Sequence, residues 1–287
     1  MTLPSDLGLR DATLDDLPAI AGLRESVGWD VAAWALRAVI GQSHARCLVA
    51  VDGDGMVAGV GSGIVYGPLG FVGNMIVAPA HRRRGVGAAI LDAVAQYLEA
   101  EGCIRLELNA TSEGRPLYER QGFRSLGTSA AARIPRGTRL APRPDVKVRP
   151  ATREDLDAVA AYDRPRFGGD RRVLLELLIR APGTTTVIAE DDNGIVGYEC
   201  VRVAESRIGP MLAEAPEIAA ALLLEGFVRM PEAPDIRLNL PPNNRPGAAW
   251  LDGLGVTAEP WDGRMGRGPT IPRREETLYG MVLGALG

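Results

Sequence analysis

The strongest constraint on the fold is an internal repeat, in which two separate elements recur in the same order and at the same spacing. The segment Leu9–Ile20 returns as Val148–Val159, and each copy has a threonine followed three residues later by an aspartate. This pattern is typical of a short strand followed by a capped helix. The segment Val49–Ala58 recurs as Ile188–Gly197, and each copy predicts a hairpin with glycine in its turn. Because chance similarity would not preserve this register, the repeat predicts duplication of a whole domain.

The repeat divides the 287 residues into two domains of ordinary size. We predict the first domain over residues 1–140 and the second over residues 146–287. The stretch Ile134–Pro144 contains three prolines and a glycine, so we interpret it as the linker.

A basic, glycine-containing loop lies between an apolar strand and an apolar helix of the first repeat. The strand is predicted at Phe71–Val77, and apolar residues at helical spacing continue to Leu98. The loop residues in question are Arg82, Arg83, Arg84, Gly85 and Gly87. The glycines allow a tight turn and let a ligand approach the first-turn amides, which lack intrahelical partners and carry partial positive charge. We therefore predict a pyrophosphate site at this helix N-terminus.

Two other interpretations of the loop are weaker. A solvated basic loop is the usual explanation of an isolated charge run, but the glycines and the flanking elements favour a phosphate site. A dinucleotide-binding fingerprint would need a third glycine where Ile90 stands, and a shorter connection between strand and helix.

The pattern Arg82-x-x-Gly85-x-Gly87 resembles the Gln/Arg-x-x-Gly-x-Gly/Ala signature of the GNAT superfamily of N-acetyltransferases, whose loop holds the pyrophosphate of acetyl-CoA. Downstream, Leu106–Phe123 resembles the strand, helix, tyrosine and Gly-Phe corner that closes the cofactor site of that family. The resemblance covers Leu9–Ile134 well. It implies an α/β fold of two tandem GNAT-like domains, each with a mixed, mostly antiparallel sheet that is splayed at its centre and flanked by helices.

The resemblance also implies where acetyl-CoA would bind. Its pantetheine arm would lie between the splayed strands Phe71–Val77 and Ile104–Asn109, where backbone N–H groups would polarise the thioester carbonyl. The cofactor-binding residues expected from this arrangement are Met75, Ile76, Val77, Arg82, Arg83, Arg84, Gly85, Val86, Gly87, Ala88, Asn109 and Tyr118.

Two residues are candidates for proton transfer. Tyr118 stands at the position of the family's general acid, although a tyrosine that simply packs beside Phe123 is the alternative. Glu107 is the candidate base, although a structural ion pair with Arg105 or another basic residue is at least as good an interpretation. Family members often have aspartate where Asn109 stands, so we expect Asn109 to form hydrogen bonds near the cofactor arm.

The acceptor side of the site is expected between the first two helices. There, Trp29 would form an aromatic wall and Asp30 would hold a cationic amine. The alternatives are a core tryptophan and an aspartate that caps the helix beginning near Val31.

The second repeat lacks these features. It has Ile208–Pro216 in place of the basic loop, and aligning Gly122 with Gly255 places Leu251 opposite Tyr118. We therefore predict that the second domain is degenerate and serves structure or acceptor selection. A recognisable group of tandem GNAT proteins pairs an active and a degenerate half in this way.

Composition excludes several other classes of function. The net charge of −4 gives no general nucleic-acid footprint, and no apolar stretch is long enough to cross a bilayer. The cysteines are widely spaced without a C-x-x-C pair, and there are only two histidines, so we expect no disulfide framework and no metal site. The N-terminus has no secretory signal pattern. We expect a cytoplasmic monomer or homodimer without nucleic-acid or membrane partners.

These observations predict an acetyl-CoA-dependent N-acetyltransferase that acts on a primary amine of a small molecule, by direct attack in a ternary complex. Two alternatives stay open. The acceptor is a peptide or protein amine, or the protein is a non-catalytic module that binds acyl-CoA.

Overall fold

The computed structural model describes residues 3–29 and 33–287, which form two compact units. The N-terminal unit contains the residues up to Arg124 together with Met265–Thr270 and Leu286. The C-terminal unit contains Ser125–Arg264, Ile271–Ala285 and Gly287. Each unit therefore includes a segment from the other repeat, and the units differ in this respect from the domains 1–140 and 146–287 predicted from the sequence.

The N-terminal unit alternates helices with the strands of one sheet. Its elements are β1 (Leu7–Asp11), α1 (Leu17–Ser26), α2 (Ala33–Arg37), β2 (Ala45–Asp52), β3 (Val57–Tyr66), β4 (Leu69–Val77), α3 (Val86–Ala100), β5 (Arg105–Ala110) and α4 (Arg115–Arg120). The strand, loop and helix predicted around the arginines are thus confirmed as β4 and α3.

The sheet of this unit has the order β1-β2-β3-β4-β5 and is antiparallel except for the parallel pair of β4 and β5. That parallel pairing stops at Val72 and Leu108, and beyond these residues the two strands separate. Just beyond this point, the register of β3 against β4 shifts between Val60 and Ser62 because β4 carries one extra residue. A bulge therefore lies where the central strands diverge.

Helix α3 packs across the middle of the sheet and fixes the position of its own N-terminus. Its buried face includes Ile90, Val94 and Leu98, each worth about 1.5–3 kcal/mol of burial. Two glycines of β3 make room for it, since a Cβ at Gly61 would lie 2.5 Å from Ile90 and one at Gly63 would lie 2.9 Å from Val94. This close approach brings the start of α3 to the end of β4.

The C-terminal unit repeats the same arrangement. Its elements are β6 (Arg124–Pro135), β7 (Lys147–Pro150), α5 (Leu156–Phe167), α6 (Arg172–Arg180), β8 (Thr184–Asp191), β9 (Gly194–Arg202), β10 (Arg207–Ala213), α7 (Pro216–Arg229), β11 (Asp235–Leu240), α8 (Arg245–Gly253), β12 (Ala258–Arg267) and β13 (Leu278–Gly280). Strands follow the order β6-β11-β10-β9-β8-β7, with β13 beside β10, and α7 packs over β8, β9 and β10.

The exchanged segments explain why the compact units differ from the repeats. Residues Ala130–Pro135 of β6 pair with the whole of β11. The end of β12 lies beside β5, where Met265 is fully buried in the N-terminal core. Nη1 of Arg105 donates to the backbone oxygen of Gly268 at 2.8 Å. These contacts join residues that are far apart in sequence, so a local pattern cannot reveal them.

The duplicated elements have matching local structure. Thr13 with Asp16, and Thr152 with Asp155, form capping boxes at the starts of the corresponding helical segments. In both copies an arginine donates two hydrogen bonds to the capping aspartate. In the first copy, the hydrogen bonds from Arg10 lower the pKa of Asp16 to about 2. Strands β2 and β3 pair antiparallel, as do β8 and β9, so the predicted hairpins are confirmed together with the caps.

Within the described part of the chain, no helix is both long and apolar enough to span a bilayer. The same residues contain no group of three His, Cys, Asp or Glu side chains placed to hold a metal ion. The cysteines Cys47, Cys103 and Cys200 are all free and buried.

Candidate active site

A cleft of about 1030 Å³ lies in the N-terminal unit at the point where β4 and β5 separate. Its size is at the upper end of the range that small-molecule ligands and cofactors occupy. Its walls are the end of β4, the loop and first turn of α3, helix α4 with the segment before it, and the end of α1.

The loop between β4 and α3 ends in a glycine whose conformation requires that residue. Gly85 is the N-cap of α3 and has φ of +86°. The helix begins at Val86, so the first-turn N–H groups of Val86, Gly87 and Ala88 have no partner within the helix. All three residues line the cleft. The predicted phosphate-binding loop therefore has the geometry of an anion site.

The second loop glycine is not required by packing within the protein. A Cβ at Gly87 would lie 3.4 Å from side-chain atoms of Leu117 and Val77, which is ordinary van der Waals contact. Absence of a side chain there keeps the cleft open at the helix N-terminus. This fits the expected close approach of a pyrophosphate to the backbone.

The three loop arginines do not have the same surroundings. Arg82 and Arg83 line the cleft, and Nε of Arg82 donates to the backbone oxygen of Val77 at 3.1 Å. Arg84 does not line it, because its guanidinium binds both carboxylate oxygens of Asp6 at 2.6 and 2.7 Å. These hydrogen bonds hold the pKa of Asp6 below its usual range. The geometry thus supports Arg82 and Arg83 as phosphate ligands and does not support Arg84.

The free edge of β4 forms one long wall of the cleft. Met75, Ile76 and Val77 all line it. The N–H of Ala78 donates to the oxygen of Ala58 on β3 at 2.9 Å. Because successive N–H groups alternate between the two sides of a strand, the N–H of Val77 faces away from β3 and towards the gap. The N–H of Val77, one of the backbone groups expected to bind the pantetheine arm, is therefore directed towards the gap.

Tyr118 of α4 lines the cleft and is largely buried. Its ring also meets the ring of Phe123 edge to face, with centroids 6.1 Å apart. The structure therefore realises both interpretations at once, since the tyrosine packs against Phe123 and reaches the cleft. Its role as the general acid stays a prediction.

The two β5 residues named from the sequence do not line the cleft. Glu107 is 1% exposed and accepts a hydrogen bond from Nε of Arg105 at 3.0 Å. This geometry favours the structural ion pair and gives no support to Glu107 as a base. Asn109 is half-buried and directly follows Leu108, the last β5 residue that pairs with β4. It therefore marks the point of separation, and its contact with the cofactor stays a prediction.

Trp29 lines the cleft together with Ser26 and Val27 from the end of α1. It is half-buried, so it is a wall of the cleft and not a core residue. Asp30 lies outside the described residues. Sequence reasoning missed Arg24, a buried α1 side chain whose guanidinium lies 5.6 Å from the centroid of the Trp29 ring. An isolated arginine in a helix gives no sequence signal of such a contact.

The corresponding gap of the C-terminal unit is occupied by the protein itself. Strands β10 and β11 pair at Arg207 and Arg237, and β13 then pairs with β10 at Met211 and Leu212. Directly after β13, the N–H of Met281 donates to the backbone oxygen of Asn239 on β11 at 2.8 Å. The β13 segment therefore lies between the two parallel strands.

The position of the phosphate loop is also changed in this unit. Between β10 and α7 stands Glu214, whose carboxylate accepts hydrogen bonds from Arg166 and Arg274. Burial raises the pKa of Glu214, but these hydrogen bonds outweigh it, so the pKa lies below the usual value. A carboxylate at this helix start repels phosphate. The absence of the basic loop noted in the sequence thus has a structural counterpart.

Comparison with known proteins agrees with this geometry. A family model described as an acetyltransferase (GNAT) domain matches residues 43–125, and a second model with the same description matches residues 159–280. The chain is 29% identical over 161 residues to the uncharacterized N-acetyltransferase YitH of Bacillus subtilis (strain 168). That match covers 55% of this chain and 56% of the relative, so it spans little more than half of that protein's length.

Solved structures share the fold over nearly the whole chain. An acetyltransferase candidate from Pyrococcus horikoshii has a TM-score of 0.81 at 22% identity, covering 100% of this chain and 98% of that one. A tandem GNAT protein from the clavulanic acid biosynthesis pathway has a TM-score of 0.63 at 15% identity, covering 92% and 99% of the two chains. The fold predicted from the sequence, two tandem domains with mostly antiparallel mixed sheets flanked by helices, is confirmed.

Proposed function

Because this chain belongs to the GNAT family of acetyltransferases, we propose that its N-terminal unit transfers the acetyl group of acetyl-CoA to a primary amine of a small molecule. The observation that carries the proposal is the open cleft where β4 and β5 separate, whose lining includes both the first turn of α3, with its unpartnered amides, and Trp29. Donor and acceptor would meet in this cleft and react by direct attack.

The loop and the first turn of α3 hold the pyrophosphate in this proposal. Backbone N–H groups of Val86, Gly87 and Ala88 point into a region that also carries the positive end of the helix dipole. Arg82 and Arg83 add charge-assisted hydrogen bonds from the cleft wall.

The edge of β4 supports the proposed reaction at the thioester. Acetyl-CoA supplies an activated acetyl group, and the N–H groups on the free side of the Met75–Val77 edge, that of Val77 among them, would pair with its arm and stabilise negative charge on the thioester oxygen. Such preorganised donors act in a partly water-excluded cleft, where removal of one typically costs about 3 kcal/mol of transition-state stabilisation.

Tyr118 protonates the departing thiolate in the proposed reaction. Its place on α4, where it lines the cleft, supports this role. General acid catalysis by a positioned side chain contributes about a hundredfold or more in rate. We assign no general base, because Glu107 is engaged with Arg105.

The acceptor end of the cleft supports a compact amine. It is bounded by Ser26, Val27 and Trp29 from α1 and the residues after it, with Met75 from β4. An aromatic and aliphatic wall of this kind suits a small molecule with an apolar body beside its amino group. A peptide or protein amine remains the alternative acceptor, and a non-catalytic acyl-CoA-binding module is the alternative from another class.

Titration calorimetry with acetyl-CoA, followed by thiol release with a panel of primary amines, tests the proposal. We expect one binding site per chain and release of free CoA with at least one small amine. Tight binding with no release for any amine or peptide would support the binding module. Absence of binding would remove the basis of the proposed activity.

A further inference from the structure

Three buried polar side chains hold the bulge at which β4 leaves β5. Nη1 of Arg24 on α1 donates to Oδ1 of Asn74 on β4 at 2.5 Å. Nδ2 of Asn74 in turn donates to Oγ of Ser62 on β3 at 2.9 Å. All three residues are among the buried polar groups of the N-terminal unit. The amide of Asn74 is therefore fixed at both of its ends by two different elements.

The backbone of Asn74 has a conformation that few side chains tolerate. Its φ is +54°, in the left-handed region, where non-glycine residues are uncommon and asparagine is among the most tolerant. Asn74 and Met75 together stand opposite the single residue Gly61 of β3, which makes them the bulged pair. The hydrogen bonds that Arg24 and Ser62 form with the Asn74 side chain offset the backbone strain at this residue.

The bulge sets the direction of the strand that follows it. Met75 is the first of the three β4 residues that line the cleft, and it comes directly after Asn74. A change of backbone angle at residue 74 would therefore rotate the N–H groups proposed to contact the thioester. A displacement of about 1 Å in such donors is enough to reduce a rate by a hundredfold.

Arg24 also contacts the acceptor end of the cleft. Its guanidinium lies 5.6 Å from the centroid of the Trp29 ring, and its backbone oxygen accepts a hydrogen bond from the N–H of Trp29 at 2.9 Å. One residue thus touches the wall that borders the proposed acceptor and the bulge that shapes the proposed donor site.

We propose that Arg24 is a positioning residue for acetyl transfer. Through Asn74 it holds the β4 bulge in the conformation that presents the strand's N–H groups to the thioester carbonyl, and through Trp29 it links that conformation to the acceptor end. The inference rests on the function proposed above and deepens it. Arg24 itself transfers no proton and contacts no reacting atom.

The test combines a spectroscopic measurement with kinetics. The probe is [1-¹³C]acetyl-CoA bound to the full chain, and isotope-edited infrared difference spectra give the stretching frequency of its thioester carbonyl. Calorimetry gives its Kd, and thiol release gives kcat and KM with an amine that the wild type accepts. The variants are Arg24→Met, Asn74→Ala and Asn74→Gly. Arg46→Met is the control, because Arg46 binds Asp11 at the surface, outside the cleft.

We expect Arg24→Met and Asn74→Ala to move the carbonyl frequency back towards that of free acetyl-CoA and to lower kcat about tenfold. The Kd of acetyl-CoA should stay within about threefold, since the phosphate loop is unchanged. Asn74→Gly should retain more of the frequency shift and of kcat than Asn74→Ala, because glycine adopts a positive φ without strain. Arg46→Met should match the wild type in every measurement.

An unchanged carbonyl frequency and kcat in Arg24→Met would overturn the inference. Equal losses in Asn74→Gly and Asn74→Ala would also overturn it, since these variants differ in whether residue 74 favours the bulge conformation. If Arg24→Met does not fold, this glycine and alanine pair decides the question, because both keep the arginine. A wild type that fails to bind the labelled acetyl-CoA would instead refute the proposed function.

Discussion

The two units of this protein differ in what lies in the gap between their separating parallel strands. In each unit a pair of parallel strands separates at the centre of the sheet, after Val72 and Leu108 in one and after Arg207 and Arg237 in the other. The first gap is an open cleft, and the second is filled by β13. Separated strands leave backbone groups that need hydrogen-bonding partners. In the C-terminal unit the chain's own backbone supplies partners, whereas in the N-terminal unit the proposed acetyl-CoA would supply them.

The ends of the two gaps differ in charge as well as in space. The start of α3 carries glycines and arginines, whereas the start of α7 carries Glu214 held by Arg166 and Arg274. Glu214 places a negative charge just before α7, where the N-terminal unit has positive charges, so this helix start does not favour a phosphate. In the C-terminal unit, β13 and Glu214 thus stand where the N-terminal unit has its open gap and its basic loop.

The largest effect is expected from Tyr118→Phe in the open gap. Loss of the proposed proton donor should lower kcat about a hundredfold or more, with the Kd of acetyl-CoA unchanged. Tyr279→Phe, in the strand that fills the other gap, is the matched control and should leave kcat unchanged. Steady-state thiol release measures both. Wild-type turnover in Tyr118→Phe would show that this tyrosine only packs beside Phe123.

A smaller effect is expected from Gly87→Leu at the second position of α3. The side chain fits beside Leu117 but fills the space next to the first-turn amides, so the Kd of acetyl-CoA should rise about thirtyfold, near 2 kcal/mol. Glu217→Leu makes the matched change at the second position of α7, where the residue is exposed, and should not alter the Kd. Calorimetry that shows equal weakening in both variants would break the comparison between the units.

Gly280→Val tests whether the filled gap can be reopened. A Cβ at residue 280 would lie 2.8 Å from Leu238 and 3.0 Å from the Cβ of Met211, so overpacking should lower the free energy of unfolding by about 1–2 kcal/mol. We still expect one acetyl-CoA per chain, because Glu214 remains at the start of α7. Denaturant unfolding and calorimetric stoichiometry check the two parts. A second bound acetyl-CoA would mean that β13 alone closes the site.

The smallest effect concerns the pH dependence of the C-terminal unit. Glu199 is fully buried beneath α7, and burial, with Glu225 nearby and against the opposing effect of Arg229, raises its pKa well above the usual value. The folded state therefore disfavours ionisation of Glu199. Below a pH of about 4 this carboxyl is protonated in both states and leaves the free energy of unfolding unchanged, and that free energy falls as the pH rises through the higher folded pKa. Glu199→Gln should therefore gain stability relative to the wild type as the pH rises from 5 to 8. Denaturant unfolding at several pH values measures this difference, and a constant difference would contradict it.

The parts of the structure that follow from local sequence were predictable. The sequence around each residue predicted a glycine turn at Gly85 and helix caps at Thr13 and Thr152. The structure has the turn and the caps at these positions. The repeat also predicted the order of elements in both units, because each copy carries its own hairpin and helix signals.

The parts that depend on distant contacts were not predictable. The pairing of Arg84 with Asp6 joins residues 78 positions apart, so the run of arginines gave no sign that one of them is engaged elsewhere. The three residues of β13 are too few to show a period, and only the fold brings them between β10 and β11. For Glu107, the sequence offered both an ion pair and a base, and burial beside Arg105 decides between these interpretations.

The inclusion of Met265–Thr270 in the N-terminal unit has a consequence for how this protein is made. The ribosome completes Arg124 early, but the strand end that buries Met265 beside β5 emerges only after almost the whole second repeat has been synthesised. At ordinary rates of translation this interval is on the order of ten seconds. During that time the edge of β5 that β12 later covers is unpaired, and the core of the N-terminal unit is completed only when Met265 has been synthesised.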